Sequence, residues 1–223
     1  MTSDNIIKIK GRISSACAKV NRGPASVTIV AVTKNRSIEQ VKEAVAAGIA
    51  DIGENRVQEA LIKFRGLSAI EQRPAAIKWH MVGHLQANKV KTAVKIFDLI
   101  HSVDSIALAR EIDRQAAAIN KIQEILVEVK TSPEESKFGI KPDEAVEVIK
   151  EISKLKNLNL GGLMTIAPLV DNPEKARPYF RLLRELRDKI NSLMTLSMGM
   201  TDDFEVAIEE GATMIRLGRA LFD

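Results

Sequence analysis

A chain of 223 residues is long enough for one large domain, and its 45% hydrophobic and 28% charged content excludes disorder as the main state. The formal charge of +4, from 33 basic against 29 acidic residues without a long run of one sign, argues against a nucleic-acid or membrane-binding arm and leaves an anionic small ligand open. The single cysteine, Cys17, excludes an internal disulfide framework and a cysteine-based metal site; with no signal-like start and no apolar run of membrane-spanning length, the expected location is the cytoplasm.

Apolar residues recur at three- and four-residue spacing from Ile6 to Val20, which predicts an amphipathic helix ended by Gly23-Pro24. Val27 to Val32 is a β-branched apolar run of strand length; Lys34 follows it, and Ser37 is placed to cap a helix over Ile38 to Ala47. The alternation continues with strands at Asp51 to Gly53, Ile77 to Val82, Phe97 to Ser102, Ile122 to Lys130, Leu160 to Thr165, Thr195 to Met198 and Thr213 to Leu217. Between them fall helical patterns at Val57 to Phe64, Asn88 to Lys95, Ile106 to Ala118, Asp143 to Leu155, Pro173 to Asn191 and Asp202 to Glu210. Eight strands alternating with helices predict an α/β fold, a (β/α)8 (TIM) barrel forming a single domain over residues 1–223, with an open doubly wound sheet as the alternative. Only Arg219 to Asp223 follow the last strand, too few for a full eighth helix, and the N-terminal helix is the element available to cover that gap.

In such a barrel the residues just past the strand ends converge on one mouth. Lys34 emerges there from a nearly unbroken apolar strand, so partial desolvation is expected to favour a neutral amine able to attack an aldehyde. A solvated surface lysine is the other reading. The segment Ser197-Met198-Gly199-Met200-Thr201-Asp202 lies between a strand and a helix start, where backbone N–H groups favour a phosphate and Ser197 adds a hydroxyl. Asp202 and Asp203 permit the competing reading of a capped helix. Arg216-Leu217-Gly218-Arg219 supplies the neighbouring loop of the usual barrel phosphate site, with Gly218 allowing close approach and Arg216 placed to face a ring nitrogen or a phosphate oxygen. A lysine amine, a phosphate cradle and an inward arginine match the aldehyde, phosphate and pyridine nitrogen of pyridoxal 5′-phosphate (PLP). The residues by themselves also suit a sugar phosphate held by an aldolase-type lysine.

The strings Ala31-Val32-Thr33-Lys34, Gly53-Glu54-Asn55-Arg56-Val57-Gln58-Glu59 and Trp79-His80-Met81-Val82-Gly83-His84-Leu85-Gln86-Ala87-Asn88-Lys89 resemble the YggS/PROSC PLP homeostasis family. So do Gly162-Leu163-Met164-Thr165-Ile166-Ala167-Pro168, Ser197-Met198-Gly199-Met200-Thr201 and Arg216-Leu217-Gly218-Arg219-Ala220-Leu221-Phe222, in order and over nearly the whole chain. The resemblance implies a fold-type III barrel like the N-terminal domain of alanine racemase, with PLP held on Lys34 through a Schiff base. It further implies that Ser197, Gly218 and the backbone of Arg219 hold the phosphate, that Arg216 faces the pyridine nitrogen, and that Asn55, His80 and Met200 line the pocket. Family members often carry threonine or serine where this chain has Arg219.

The implied function is vitamin B6 homeostasis: a monomer or weak dimer that carries PLP and passes it to PLP-dependent apoenzymes, without catalytic residues or a metal. An arginine beside the pyridine nitrogen weakens the cofactor as an electron sink, which argues for holding over turnover. Fold-type III racemases share that arrangement, yet they draw an opposed acid/base residue from a C-terminal β domain of a partner subunit, and no such domain is expected after Asp223. A racemase and a Schiff-base aldolase are the alternative functions. Lys137 is a conceivable partner for a substrate carboxylate, while His80 and His84, four residues apart, are conceivable acid/base groups without a third metal ligand. Cys17, Tyr179 and Phe180 are expected to pack, and Trp79 to pack beneath the mouth.

Overall fold

A computed structural model describes residues 2–68, 77–134, 138–190 and 193–223. Its strands are β1 (Thr28–Val32), β2 (Asp51–Glu54), β3 (Lys78–Met81), β4 (Leu99–Val103), β5 (Gln123–Glu128), β6 (Leu158–Met164), β7 (Thr195–Ser197) and β8 (Met214–Leu217). They pair in parallel and in chain order, and β8 returns to β1 with Thr28 opposite Met214 and Ala31 opposite Leu217, which closes the barrel. The helices are α1 (Thr2–Lys19), α2 (Ile38–Ala46), α3 (Val57–Ser68), α4 (Val90–Ile96), α5 (Ile106–Ala117), α6 (Pro142–Ile152), α7 (Arg177–Asp188), α8 (Phe204–Glu209) and α9 (Arg219–Phe222). The expected closed (β/α)8 architecture is therefore the observed one, and none of the described helices is long and apolar enough to cross a membrane.

Strands covered on both faces are largely apolar, and all five residues of β4 are buried, His101 and Ser102 among them. Ile52, Ile100, Ile125, Leu163, Leu196 and Ile215 belong to the main core, between strands and helices. Inside the barrel Leu99, Leu126 and Met164 form a separate cluster, with Ile166 and Met214 packed against it. The pleat returns a strand to the same face every second residue. His101, Glu128 and Arg216, two residues beyond Leu99, Leu126 and Met214, therefore stand on the inner face above this apolar floor.

The same alternation corrects the expectation for Trp79. Because His80 takes the inner face of β3, Trp79 points outward, where it meets Phe64 of α3 edge-on with ring centroids 5.9 Å apart. It packs behind the sheet and not beneath the mouth.

Ser37 caps α2 as its sequence predicts: its hydroxyl accepts the Gln40 N–H at 3.3 Å while the Gln40 side chain accepts the Ser37 N–H at 3.1 Å. The N-terminal helix α1 lies beside α9, the helix that follows β8. Ile6, Ile9, Ile13, Ala16 and Cys17 are buried, and α1 packs on α8, α9 and α2. The Asn5 side chain donates to the Leu221 carbonyl at 3.3 Å, and Arg12 makes a bidentate pair with Glu205 at 2.7 and 2.8 Å.

Candidate functional site

Lys34 stands one residue past a tightly anchored strand end. Thr33 is buried; its N–H donates to the Gly53 carbonyl at 2.9 Å and its hydroxyl to the Glu54 carboxylate. Lys63, from α3, donates both to the Thr33 carbonyl and to Glu54, the latter at 2.6 Å, with Lys63 8% and Glu54 0% exposed. Removing one partner from such a buried pair is strongly destabilising, so this cluster fixes the backbone from which Lys34 departs. Asn35 then turns the chain with φ of 58°. Lys34 itself is exposed at the rim, which corrects the expectation of a partly desolvated amine: burial falls on Thr33 before it and on Arg216 of the adjoining strand β8.

Arg216 is 4% exposed. Burial lowers its pKa to about 10, against the opposing pull of Glu128 and Asp203, so it is cationic at neutral pH. One terminal nitrogen donates to Ser197 Oγ at 2.7 Å and the other to the Thr165 carbonyl at 2.8 Å. Thr165 is fixed in turn by the Val129 carbonyl and by Thr131 Oγ1, each at 2.8 Å. These bonds use two of the five guanidinium N–H groups, leaving donors for a ring nitrogen or a phosphate oxygen.

Ser197 begins a chain of bonds through the barrel interior: Ser197 Oγ to His101 Nδ1 at 2.9 Å, His101 Nε2 to His80 Nδ1 at 2.9 Å, and His80 Nε2 to Asp51 Oδ1 at 3.0 Å. Burial, with His80 and Arg216 alongside, holds the fully buried His101 well below the usual imidazole range. A carboxylate only accepts and a guanidinium only donates. In the tautomers where His80 Nε2–H donates to Asp51 and His101 Nε2–H to His80, the Ser197 hydroxyl donates to His101 while Ser197 accepts from Arg216. Ser197 and His80 thus belong to one bonded chain that braces Arg216 within the barrel.

The loops after β7 and β8 meet as expected. Gly199 turns the first at φ of 93°, and a Cβ there would lie 2.6 Å from that of Ala207, so glycine is needed for both reasons. Asp203 closes this loop by accepting the Met200 N–H at 2.6 Å, and Arg216 N–H donates to the Gly199 carbonyl at 2.9 Å. Ala220 N–H reaches Thr201 Oγ1 at 3.4 Å, tying the two loops together. Gly218 lies in contact range of Val32, two residues before Lys34; a Cβ on it would be 3.5 Å from the Val32 carbonyl. The side chain of Arg219 turns to the surface and pairs with Asp202 at 2.5 Å, which leaves its backbone as the part facing the mouth loops.

Asn55 borders a cleft of about 260 Å³ with Val82, Glu128, Ser132, Phe138 and Ile166. His84 also lines this cleft, stacked on Phe138 at 3.7 Å between ring centroids and paired with Asp104 at 3.2 Å. Met200 borders a neighbouring cleft of about 230 Å³ that shares Ile166. Among the described residues no three ligand-type side chains gather into a metal site, and Lys137 lies outside the described residues. Asp51, His101 and Glu128 escaped the sequence reading.

The fold and the site together define a (β/α)8 barrel with a lysine at the rim of its mouth and a buried arginine inside it. Over residues 8–223 the sequence matches the family described as alanine racemase, N-terminal domain. The pyridoxal phosphate homeostasis protein of Aquifex aeolicus is 42% identical over 224 residues, covering 98% of this chain and 96% of that protein. That of Synechocystis is 43% identical over 204 residues, covering 89% and 92%. PipY of Synechococcus elongatus, solved with PLP bound, superimposes with a TM-score of 0.86 at 34% identity, covering all of both chains. Alanine racemase of Clostridium difficile, at 16% identity and a TM-score of 0.73, shares the barrel over 98% of this chain and 56% of its own. The chain belongs to the alanine racemase N-terminal domain family and, within it, to the pyridoxal phosphate homeostasis proteins.

Proposed function

We propose that the chain is a single-domain PLP-binding protein of vitamin B6 homeostasis that holds the cofactor at Lys34 and passes it on in the cytoplasm to PLP-dependent apoenzymes, acting as a monomer or weak dimer. The observation that carries this reading is the cationic Arg216, buried and braced by Ser197 and Thr165, on the same mouth as Lys34. PLP, when bound, supplies an aldehyde reactive toward amines. Lys34 offers the amine from the rigid base formed by Thr33, Glu54 and Lys63. Arg216 offers its unused N–H groups to the ring nitrogen and, remaining a cation, discourages protonation there. The backbone at Gly218 and Arg219 and the turn at Gly199 would seat the phosphate, while Asn55 and Met200 flank the mouth. PLP borne by the close relative PipY and the homeostasis names of the curated relatives support holding over turnover.

The reading is tested by titrating the purified protein with PLP and following visible absorbance. The wild type is expected to develop a saturable band, and Lys34→Ala to lose that band with at least about a tenfold weaker affinity, about 1.4 kcal/mol. An unchanged band and affinity in Lys34→Ala would overturn it.

A further inference from the structure

Glu128 ends β5 with its side chain on the inner face, above Leu126 of the apolar floor. It is 6% exposed, and among the described residues no hydrogen bond or ion pair reaches its carboxylate. Burial pushes its carboxyl up to about 7; nearby Asp104 adds to this and Arg216 opposes it. A carboxylate taken out of water without a partner is costly, yet this one lines an open cleft instead of a sealed core.

The walls of that cleft say what would relieve the cost. Val82, Phe138 and Ile166 offer apolar contact, and Asn55 and Ser132 offer polar atoms. Lys130 also borders the cleft and has a partner of its own, and His84 already pairs with Asp104. An anion would meet Glu128 and Asp104. A compact cation with N–H donors and an aliphatic tail would satisfy the carboxylate and fill the apolar wall.

We propose that this cleft is a subsite for an unbranched primary alkylammonium, such as a lysine side chain, with Glu128 as its counter-ion. An α-amino acid fits less well, because its own carboxylate would face Glu128. A proton passing from the bound ammonium to Glu128 leaves a neutral amine and a carboxylic acid, which places a nucleophile on the mouth that Lys34 borders. The use of the subsite rests on the PLP reading above, whereas ammonium binding itself needs no cofactor. Binding is strongest where Glu128 is ionised and the ammonium still protonated, between roughly pH 7 and 10, and weakens below that range. The charged and titratable groups facing Glu128 that set this range are Asp104 and Arg216, with His101 on the adjacent strand and His84 and Lys130 around the cleft.

The experiment titrates the PLP-free, full-length, 15N-labelled protein with n-butylammonium chloride at pH 8, against matched sodium chloride, and reads amide chemical shifts. Saturable shifts are expected at Gly83, Ser132 and Phe138, with at least a tenfold loss of affinity in Glu128→Gln, partial recovery in Glu128→Asp, and weaker binding of L-norvaline. Unchanged butylammonium binding in Glu128→Gln, or norvaline binding as tightly as butylammonium, would overturn the proposal. PLP titration of the same samples separates the two readings: a missing PLP band with ammonium binding intact would count against the cofactor alone.

Discussion

Arg216 and Glu128 show how one inner layer of the barrel sets the character of its mouth. Arg216 keeps its charge because Ser197 and Thr165 accept from it, and Ser197 is oriented by His101 and His80 down to Asp51. Glu128 has no such support, and its raised pKa has a stability consequence. A carboxyl whose folded value lies above its unfolded value stabilises the native state by holding its proton there; that contribution is complete below the unfolded 4.5 and is lost as pH rises through about 7. Glu128→Gln, neutral throughout, is therefore expected to be more stable than the wild type at pH 8, by up to about 3 kcal/mol, because every tenfold change in proton affinity is worth ~1.4 kcal/mol. The gap should close below pH 5. Urea unfolding at the two pH values measures it, and equal stabilities at pH 8 would contradict the cost assigned to burying Glu128. At this scale Lys34, Arg216 and Gly218 were legible because they follow apolar runs and a barrel brings strand ends together. His101 and Glu128 were present in strands read correctly, but their inward direction follows only from the i, i+2 relation to Leu99 and Leu126. The contacts of Ser197 with His101 and Arg216 join residues of three strands, which no sequence pattern encodes.

Among the elements, α1 has the clearest structural task. It packs on α8, α9 and α2 with an apolar face of Ile6, Ile9, Ile13 and Cys17. Ile13 is 3% exposed, so Ile13→Ala is expected to cost about 2–5 kcal/mol by lost burial and the cavity left behind. Arg12→Ala, which removes a largely exposed pair with Glu205, should cost under about 1 kcal/mol. Urea midpoints of the two variants check this ranking, and a reversed order would mean that α1 is held by charge and not by its apolar face. The 3.6-residue pattern made α1 readable, and the Ser37 cap made the start of α2 readable. Boundaries were less so: the pattern from Pro173 to Asn191 resolves into a 3-10 turn at Pro173–Ala176 capped by Asn172 and then α7 from Arg177, whose second residue, Pro178, lacks an N–H and suits a first turn. Residue 191 lies outside the described residues. The β5 pattern likewise overran to Lys130, because after Val129, whose N–H still reaches Met164 of β6, the Lys130 N–H turns to the Ile140 carbonyl.

For the whole molecule, closure of eight parallel strands removes every sheet edge and divides the interior into an outer apolar core, a small apolar floor and a polar layer facing the mouth. The fold class was legible from alternation alone; the polar layer required closure, since Asp51, His80, His101, Ser197 and Arg216 come from five different strands. The central claim is that this layer and the loops above it present PLP to Lys34. Borohydride reduction of the PLP-incubated protein, followed by peptide mass mapping, tests that claim most directly. A single reduced pyridoxyl phosphate adduct on the peptide containing Lys34 is the predicted result, and an adduct spread over surface lysines with Lys34 unmodified would contradict it.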